Sequence, residues 1–238
     1  MNPDAAQQIR TSGILSLLKS RRFTGAEAPR IARVPDLGRR AAAAILSANK
    51  RPLDGRLRTV RRSVAESVED MLIRDAEAAD ALAIAEVHVR SWQVAYRGLL
   101  PDDYLDGLRP EDRAKKYTLG SADENQPLTI VVLEHGVICG FATMMPARDA
   151  DAGKSVGELA ALYVDPKEWG KRIGAALIQA ARSRLSERGF QKAILWILVG
   201  NVRAQRFYEA DGWQFDGMRR ADQVWGVTVD EARMVRSL

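Results

Sequence analysis

The alternation of apolar and polar positions becomes regular only after Met71. Short apolar runs bounded by turn residues predict seven strands, at Leu72–Asp75, Leu128–Leu133, Val137–Met145, Gly157–Val164, Lys192–Val199, Trp213–Gly217 and Val224–Val235. The tripeptide Glu134-His135-Gly136 predicts a tight hairpin turn between the second and third of these strands. The run Lys192–Val199 is almost wholly apolar, which predicts a strand buried on both faces.

Helical spacing is clearest in two segments. In the first, Asp80 is a suitable N-cap and Gly98 and Pro101 end the pattern; its apolar face comprises Leu82, Ala85, Val89, Trp92 and Tyr96. The second covers 170–188, ends at Gly189, and has an apolar face of Gly174, Leu177, Ile178, Ala181 and Leu185. Shorter helices are predicted at Asp102–Leu108, Arg113–Leu119 and Asn201–Ala210. This order predicts an α/β (α+β) domain with a ligand crevice at the carboxyl end of a parallel strand pair.

Residues 1–70 have no comparable pattern. They hold 14 Lys and Arg against 7 Asp and Glu, whereas residues 71–238 hold 22 against 24, so the net charge of +5 arises in the leading segment. We predict a basic, disordered N-terminal extension, because so little apolar surface cannot offset the entropy of ordering. It could be a tail that contacts nucleic acid weakly, an Arg-rich presequence, or a segment outside the native protein with translation starting at Met71; we favour the last.

Composition excludes several classes of protein. Apolar residues are 46% of the chain and charged residues 28%, which is typical of a globular domain. Because no apolar run approaches the roughly 18 residues of a spanning helix, we expect no membrane partner and a cytoplasmic location. The single Cys139 excludes an internal disulfide, and with only His88 and His135 we expect no metal cofactor.

Three segments of the chain carry candidate chemistry. They are Glu158–Pro166 (ELAALYVDP), Trp169–Leu177 (WGKRIGAAL) and Asn201–Trp213 (NVRAQRFYEADGW). A strand that leads through a glycine turn into a helix presents unpaired backbone N–H groups and a positive dipole end, which suit a pyrophosphate. In this order and spacing the segments resemble the GNAT superfamily of acetyl-coenzyme A-dependent N-acetyltransferases, from about Leu72 to the C-terminus. The resemblance implies a mixed, mostly antiparallel sheet with a central splayed parallel pair, flanked by helices.

The resemblance implies that acetyl-CoA is the co-substrate. In the family's pyrophosphate turn the pattern is Gln or Arg, two residues, Gly, one residue, then Gly or Ala; here Trp169 and Arg172 depart from it and Gly174 matches. We expect Arg172 to be tolerated because a residue in the first helical turn has right-handed dihedral angles, leaving its side chain to point outward or onto a phosphate. The cofactor-binding residues so implied are Leu162, Tyr163, Val164, Trp169, Gly170, Lys171, Arg172, Ile173, Gly174, Ala175, Asn201 and Ala204.

Backbone and side chains have different expected roles at this site. Leu162, Tyr163 and Val164 would offer backbone groups to the pantetheine arm, as an added strand does, and one backbone N–H there could polarise the thioester carbonyl. The Asn201 amide would also bind that arm. Ala204 is expected to pack against neighbouring side chains.

Two residues are candidates for catalysis. By the resemblance, Glu158 is the general base that deprotonates an amine, and Tyr208 donates a proton to the departing thiolate. The alternatives are a glutamate paired with a neighbouring cation and an aromatic ring packed on its helix. Cys139 lies in an apolar strand, so we expect direct transfer in a ternary complex rather than an acetyl-cysteine intermediate.

The acceptor remains open at this point. A primary amine on a small molecule, peptide or protein is expected, with Trp92 and Tyr96 shaping its pocket, although aromatic residues at helical spacing are also ordinary core residues. The alternatives are a catalytically weak acyl-CoA-sensing module and an interaction protein acting through its basic tail. The resemblance is also compatible with a homodimer.

Overall fold

The computed structural model describes residues 71–238 apart from Ala122, Glu124 and Trp225; the predicted extension over 1–70 lies outside this part. The helices are α1 (Ala81–Ala95), α2 (Asp102–Gly107), α3 (Pro110–Ala114), α4 (Ile173–Glu187) and α5 (Val202–Ala210). The strands are β1 (Met71–Asp75), β2 (Leu128–Glu134), β3 (Val137–Pro146), β4 (Val156–Val164), β5 (Lys192–Leu198), β6 (Gln214–Val224) and β7 (Val227–Ser237). Short 3-10 turns lie at Ala78–Asp80 and Pro166–Glu168.

The seven strands form one sheet in the order β1-β2-β3-β4-β5-β7-β6. Every neighbouring pair is antiparallel except β4 and β5, which run parallel at the centre. The mixed α/β architecture predicted from the sequence is therefore confirmed. Within the described residues, no helix is long and apolar enough to cross a membrane.

Helices cover both faces of the sheet. Leu177 and Leu185 of α4 pack with Leu159 and Leu195 of the central strands in one core. On the other face, α1 packs against β3 and β4. Gly157 allows the first of these contacts, because a Cβ atom there would lie 2.6 Å from the Leu185 side chain.

Several boundaries differ from the prediction. The third helix is Pro110–Ala114 rather than Arg113–Leu119, since proline at its first turn starts it early. Leu82 is 46% exposed and not part of the buried face of α1. The C-terminal strands are each 11 residues long and form a hairpin, because charged and polar residues continue β6 well past Gly217.

Candidate functional site

A cleft opens where the two parallel strands separate. β4 and β5 pair only at Val156–Lys192, Gly157–Ala193 and Glu158–Ile194. Just beyond the last pair, Ala160 is an extra residue in β4, because Leu159 pairs with Met144 of β3 and Ala161 with Thr143. Such a bulge bends its strand and increases the local twist, which accounts for the divergence of β4 from β5.

The same bulge changes which side chains of β4 face together. Successive side chains of a strand point to opposite faces, so Glu158 and Tyr163, five positions apart, would ordinarily oppose each other. The extra residue, Ala160, shifts the alternation by one position, so the side chains of Glu158 and Tyr163 lie on the same face of β4. Leu159, Leu162 and Val164 enter the α4 core, whereas Ala161 and Tyr163 pack on the α1 side, where Glu158 lines the same cavity.

The larger cavity of the cleft has a volume of about 440 Å³. It lies between the β4–α4 turn, the divergent strands and α5. Its lining includes, from the predicted cofactor set, Leu162, Tyr163, Val164, Trp169, Gly170, Arg172, Ile173, Gly174, Ala175, Asn201 and Ala204. The structure therefore brings together all of the predicted cofactor residues except Lys171.

Lys171 is held outside this cavity. Its ammonium group contacts Glu168 at 2.5 Å and Glu134 at 3.4 Å. These carboxylates raise its pKa and fix the charge beside the turn. Lys171 does not line the cavity, so its part in cofactor binding stays a prediction.

The turn into α4 differs from the expected backbone conformation. Arg172 is the N-cap and has φ 65° and ψ 6°, in the left-handed region, so the prediction of right-handed dihedral angles was wrong. A non-glycine residue there is strained by about 1 kcal/mol. The family pattern has glycine at the position of Arg172 because glycine adopts this conformation without strain. At Gly174 the reason is space, because a Cβ atom there would lie 3.2 Å from the Phe207 ring.

Anion-binding groups converge on this turn. The N–H groups of Ile173, Gly174 and Ala175 belong to the first turn of α4 and have no partner inside the helix. The side chains of Arg172 and Arg203 also line the cavity and, within the described residues, neither forms an ion pair. The arrangement suits a diphosphate or phosphate group.

Arg203 is positioned by an aromatic ring. Its guanidinium carbon lies 3.6 Å from the centre of the Trp169 ring, a cation–π contact. The indole N–H of Trp169 donates to the carbonyl oxygen of Val164 at 2.8 Å, which fixes the ring against the end of β4. The tryptophan that departs from the family pattern therefore supports a cation at the rim of the cavity.

Helix α5 contributes two polar side chains to the cavity, one from its N-cap and one from its last turn. Asn201 is its N-cap and accepts the Ala204 N–H through Oδ1 at 3.1 Å, which leaves the amide NH2 group able to donate to a ligand. Tyr208 is buried, and desolvation raises the pKa of its phenol. At neutral pH this phenol therefore keeps its proton.

A smaller cavity of about 110 Å³ lies next to the first, on the α1 side. Glu158 and Trp92 line it, and Tyr96 lines both cavities. Burial raises the pKa of Glu158 from 4.5 to about 7, against an opposing effect of Arg220. Among the described residues, Glu158 forms no ion pair, so the alternative of a glutamate neutralised by a direct cation is not what the structure has.

Charged residues of the β6–β7 hairpin form one wall of this cavity. Arg220 pairs with Glu231 at 2.7 Å and with Asp222 at 3.6 Å, and its guanidinium carbon lies 4.2 Å from the Trp196 ring centre. Sequence analysis missed these residues. One sequence feature pointed to this wall, namely Trp196 within a strand predicted to be buried. The charged residues of the hairpin have no motif or spacing that would indicate a site.

The two cavities meet at one short boundary. The residues that line both are Tyr96, Ala160, Ala161, Tyr163, Trp196 and Leu198. The Tyr163 hydroxyl lies 3.3 Å from that of Tyr96. A group held in one cavity can therefore reach a group held in the other across the bulge of β4.

Cys139 lies away from this boundary. It is buried in β3, donates weakly to the Val132 carbonyl at 3.5 Å, and burial raises its pKa to about 11. A thiol with a raised pKa is a poor nucleophile at neutral pH.

Comparison with known proteins decides the family. The Acetyltransferase (GNAT) family matches residues 84–213. The chain belongs to the GNAT family. It is similar to the uncharacterised N-acetyltransferase YuaI of Bacillus subtilis (strain 168), with 30% identity over 138 residues, which are 58% of this chain and 77% of YuaI. The chain is therefore an acyltransferase of GNAT type.

Two further GNAT proteins extend the comparison. Spermidine N(1)-acetyltransferase of Thermoplasma acidophilum is 23% identical over 150 residues, covering 63% of this chain and 92% of that protein. The structure of yncA from Salmonella typhimurium with its cofactor acetyl-CoA has a TM-score of 0.52 and 22% identity, covering 71% of this chain and 94% of that one. The likeness to yncA is one of fold.

Proposed function

We propose that this GNAT protein transfers the acetyl group of acetyl-CoA to a primary amine by direct attack in a ternary complex. The observation that carries the proposal is the pair of adjoining cavities. The larger one offers the N–H groups of a helix start and the guanidinium groups of Arg172 and Arg203 to phosphates, and the smaller one holds a carboxyl group of raised pKa. Acetyl-CoA bound to a relative of the same fold supports this choice of donor.

Glu158 is the proposed general base. An alkyl ammonium ion with a pKa near 10.4 must lose a proton before it attacks. A carboxylate whose pKa lies near 7 is well matched to that step, directly or through a water molecule. Glu158 takes the first proton from the ammonium nitrogen, and the nitrogen attacks the thioester carbon to form a tetrahedral intermediate. The intermediate expels the thiolate, and the nitrogen loses its second proton as the amide forms, which balances the proton that the thiolate gains.

Tyr208 is the proposed acid for the thiolate. Its phenol is buried in the larger cavity and, with a raised pKa, carries its proton at neutral pH. A thiolate with a pKa of about 8.5 can accept a hydrogen bond or a proton from a positioned phenol. Asn201 and the open edge of β4 would hold the pantetheine arm between them.

The acceptor in this proposal is a small primary amine. A volume of about 110 Å³ admits an amino group on a slender chain. Trp92, Tyr96 and Trp196 offer aromatic surface to a cation before it is deprotonated. A relative named as a spermidine acetyltransferase supports an amine of this class.

The test is coenzyme A release by the full 238-residue chain with acetyl-CoA and a panel of diamines, polyamines, amino acids and short peptides. We expect turnover with at least one small amine, and loss of that turnover in Glu158→Gln and Tyr208→Phe. The affinity for acetyl-CoA is measured on the same variants by titration calorimetry, and its Kd should stay within about twofold of the native value. Binding without turnover across the panel would favour an acyl-CoA-sensing module instead.

A further inference from the structure

Tyr163 lines both cavities, and its hydroxyl group lies 3.3 Å from that of Tyr96, which also lines both. Its ring is held by His88, whose ring centre lies 4.3 Å away, and by Phe141 at 5.6 Å. The bulge at Ala160 turns it to the same face of β4 as Glu158. A phenol so enclosed has few alternative rotamers, which pre-organises its hydroxyl group.

The Tyr163 hydroxyl has a hydrogen-bonding neighbour at this boundary. Tyr96 lies 3.3 Å away, oxygen to oxygen, and either hydroxyl group of the pair can be the donor. Burial raises the pKa of both phenols, so both keep their protons at neutral pH. When Tyr96 donates to Tyr163, the single proton of the Tyr163 phenol is left to donate into the boundary.

We propose that Tyr163 is a further catalytic residue, whose hydroxyl donates a hydrogen bond to the carbonyl oxygen of the bound thioester. This rests on the proposed function. When the amine nitrogen bonds to the carbonyl carbon, the π electrons of the C=O bond move to oxygen, and the Tyr163 hydrogen bond stabilises that negative charge. When the carbonyl re-forms, the C–S bond breaks and sulfur takes the electron pair. Tyr163 keeps its proton throughout.

The position favours the carbonyl oxygen over the sulfur as the target. Tyr163 lines both cavities, where the acyl carbon must meet the amine, whereas Tyr208 lines only the larger one. A hydrogen bond accepted from Tyr96 strengthens the donation by Tyr163, because chains of hydrogen bonds polarise one another.

The direct test measures the carbonyl itself. Infrared difference spectra are taken of acetyl-CoA labelled with ¹³C at the carbonyl and bound to the full chain, to Tyr163→Phe and to Tyr117→Phe. Because a hydrogen bond weakens the C=O bond, we expect the carbonyl band of the native and Tyr117→Phe complexes at a lower wavenumber than that of Tyr163→Phe. Tyr117 is the matched control, since it is a partly buried tyrosine of the same aromatic cluster that lines neither cavity, and its hydroxyl group contacts His88 at 2.6 Å instead of Tyr96.

Kinetics give the second readout, with the amine that the native chain turns over fastest. Loss of one oxyanion donor costs about 100-fold in kcat, so Tyr163→Phe should fall by about that factor with an unchanged KM for acetyl-CoA. Tyr96→Phe should lose less, because it removes only a supporting hydrogen bond. Tyr117→Phe should keep its kcat. Thermal unfolding of each variant verifies that the fold is intact.

The outcomes separate this inference from the proposed function. If the native chain binds no acetyl-CoA, the proposed function fails and the inference falls with it. If acetyl-CoA binds but the carbonyl band is the same in native and Tyr163→Phe complexes, or if Tyr163→Phe keeps its kcat, the inference alone is wrong. A shifted band together with a selective loss of kcat supports it.

Discussion

The two cavities of the cleft are built in different ways. The larger is walled largely by consecutive residues of one strand, one turn and one helix start, and much of what it offers is backbone. The smaller collects single side chains from α1, β4, β5 and the β6–β7 hairpin. A site made of contiguous backbone can be read from a linear motif, whereas a site made of scattered side chains cannot. This is why the donor could be inferred from the sequence and the acceptor only as a class.

Charge also differs between them. At the larger cavity, Arg172 and Arg203 are available to an anion. At the smaller one, Arg220 is occupied by Glu231 and Asp222, and in the part of the chain that the structure describes Glu158 forms no ion pair. Substitutions at one cavity should therefore change donor binding, and substitutions at the other should change the pH dependence of the chemistry.

The largest effect is expected for Glu158→Gln. Loss of a general base costs about 10²- to 10⁴-fold in kcat, and KM for acetyl-CoA should change little because the amide does not face the phosphate end. The native rate should rise with pH through about 7, as the carboxyl group ionises, and the variant should lack this limb. The pH–rate profile of coenzyme A release checks it.

Stability provides a control for the same variant. Because burial raises the pKa of Glu158 in the folded state, its ionisation destabilises the native chain progressively between pH 4.5 and about 7. Relative to the native chain, Glu158→Gln should gain stability as pH rises through this window. Glu187→Gln, at the exposed end of α4, should change neither the rate nor this pH dependence.

Arg203→Ala should raise KM for acetyl-CoA by about tenfold at low salt and leave kcat unchanged, since a charge-assisted hydrogen bond to a phosphate is worth roughly 1.5–3 kcal/mol. The effect should shrink as salt is added. Arg206→Ala is the matched control, because this arginine lies on the same helix and does not line the cavity. Equal effects of the two substitutions would contradict a specific role for the cation held by Trp169.

Substitution of two charged neighbours of Glu158 should give smaller effects, which are opposite in sign to each other. Arg220 lowers the pKa of Glu158 and Asp149 raises it. Arg220→Met should therefore move the pH limb of the rate to higher pH and reduce the rate at pH 7 by about threefold, whereas Asp149→Asn should move it to lower pH. Limbs that move in the same direction would show that Glu158 is not the titrating base.

The smallest effect is expected for Arg172→Gly. Glycine adopts the left-handed conformation without strain, so the variant should unfold at a higher temperature, by an amount equal to about 1 kcal/mol. It also removes a cation from the cavity, so KM for acetyl-CoA should rise two- to threefold by rough estimate. A gain in stability with a loss in donor affinity would show that arginine is retained here for binding.

These contrasts also indicate what a sequence can predict. The strand–helix order and the position of the turn followed from periodicity and glycine placement, because both are local properties. The left-handed Arg172 was missed because a side chain's identity favours but does not fix its dihedral angles. Arg220, Glu231 and the Tyr163 hydroxyl were missed because their neighbours are distant in the chain, and no local rule relates them.

The extra residue in β4 has a consequence for how the protein tolerates change. Deleting Ala160 would exchange the two faces of β4 for every side chain that follows it. The Tyr163 phenol would then point into the core beneath α4, and an aliphatic side chain would take its place at the boundary. A single deletion would thus change the chemistry of the boundary without removing any catalytic residue from the sequence.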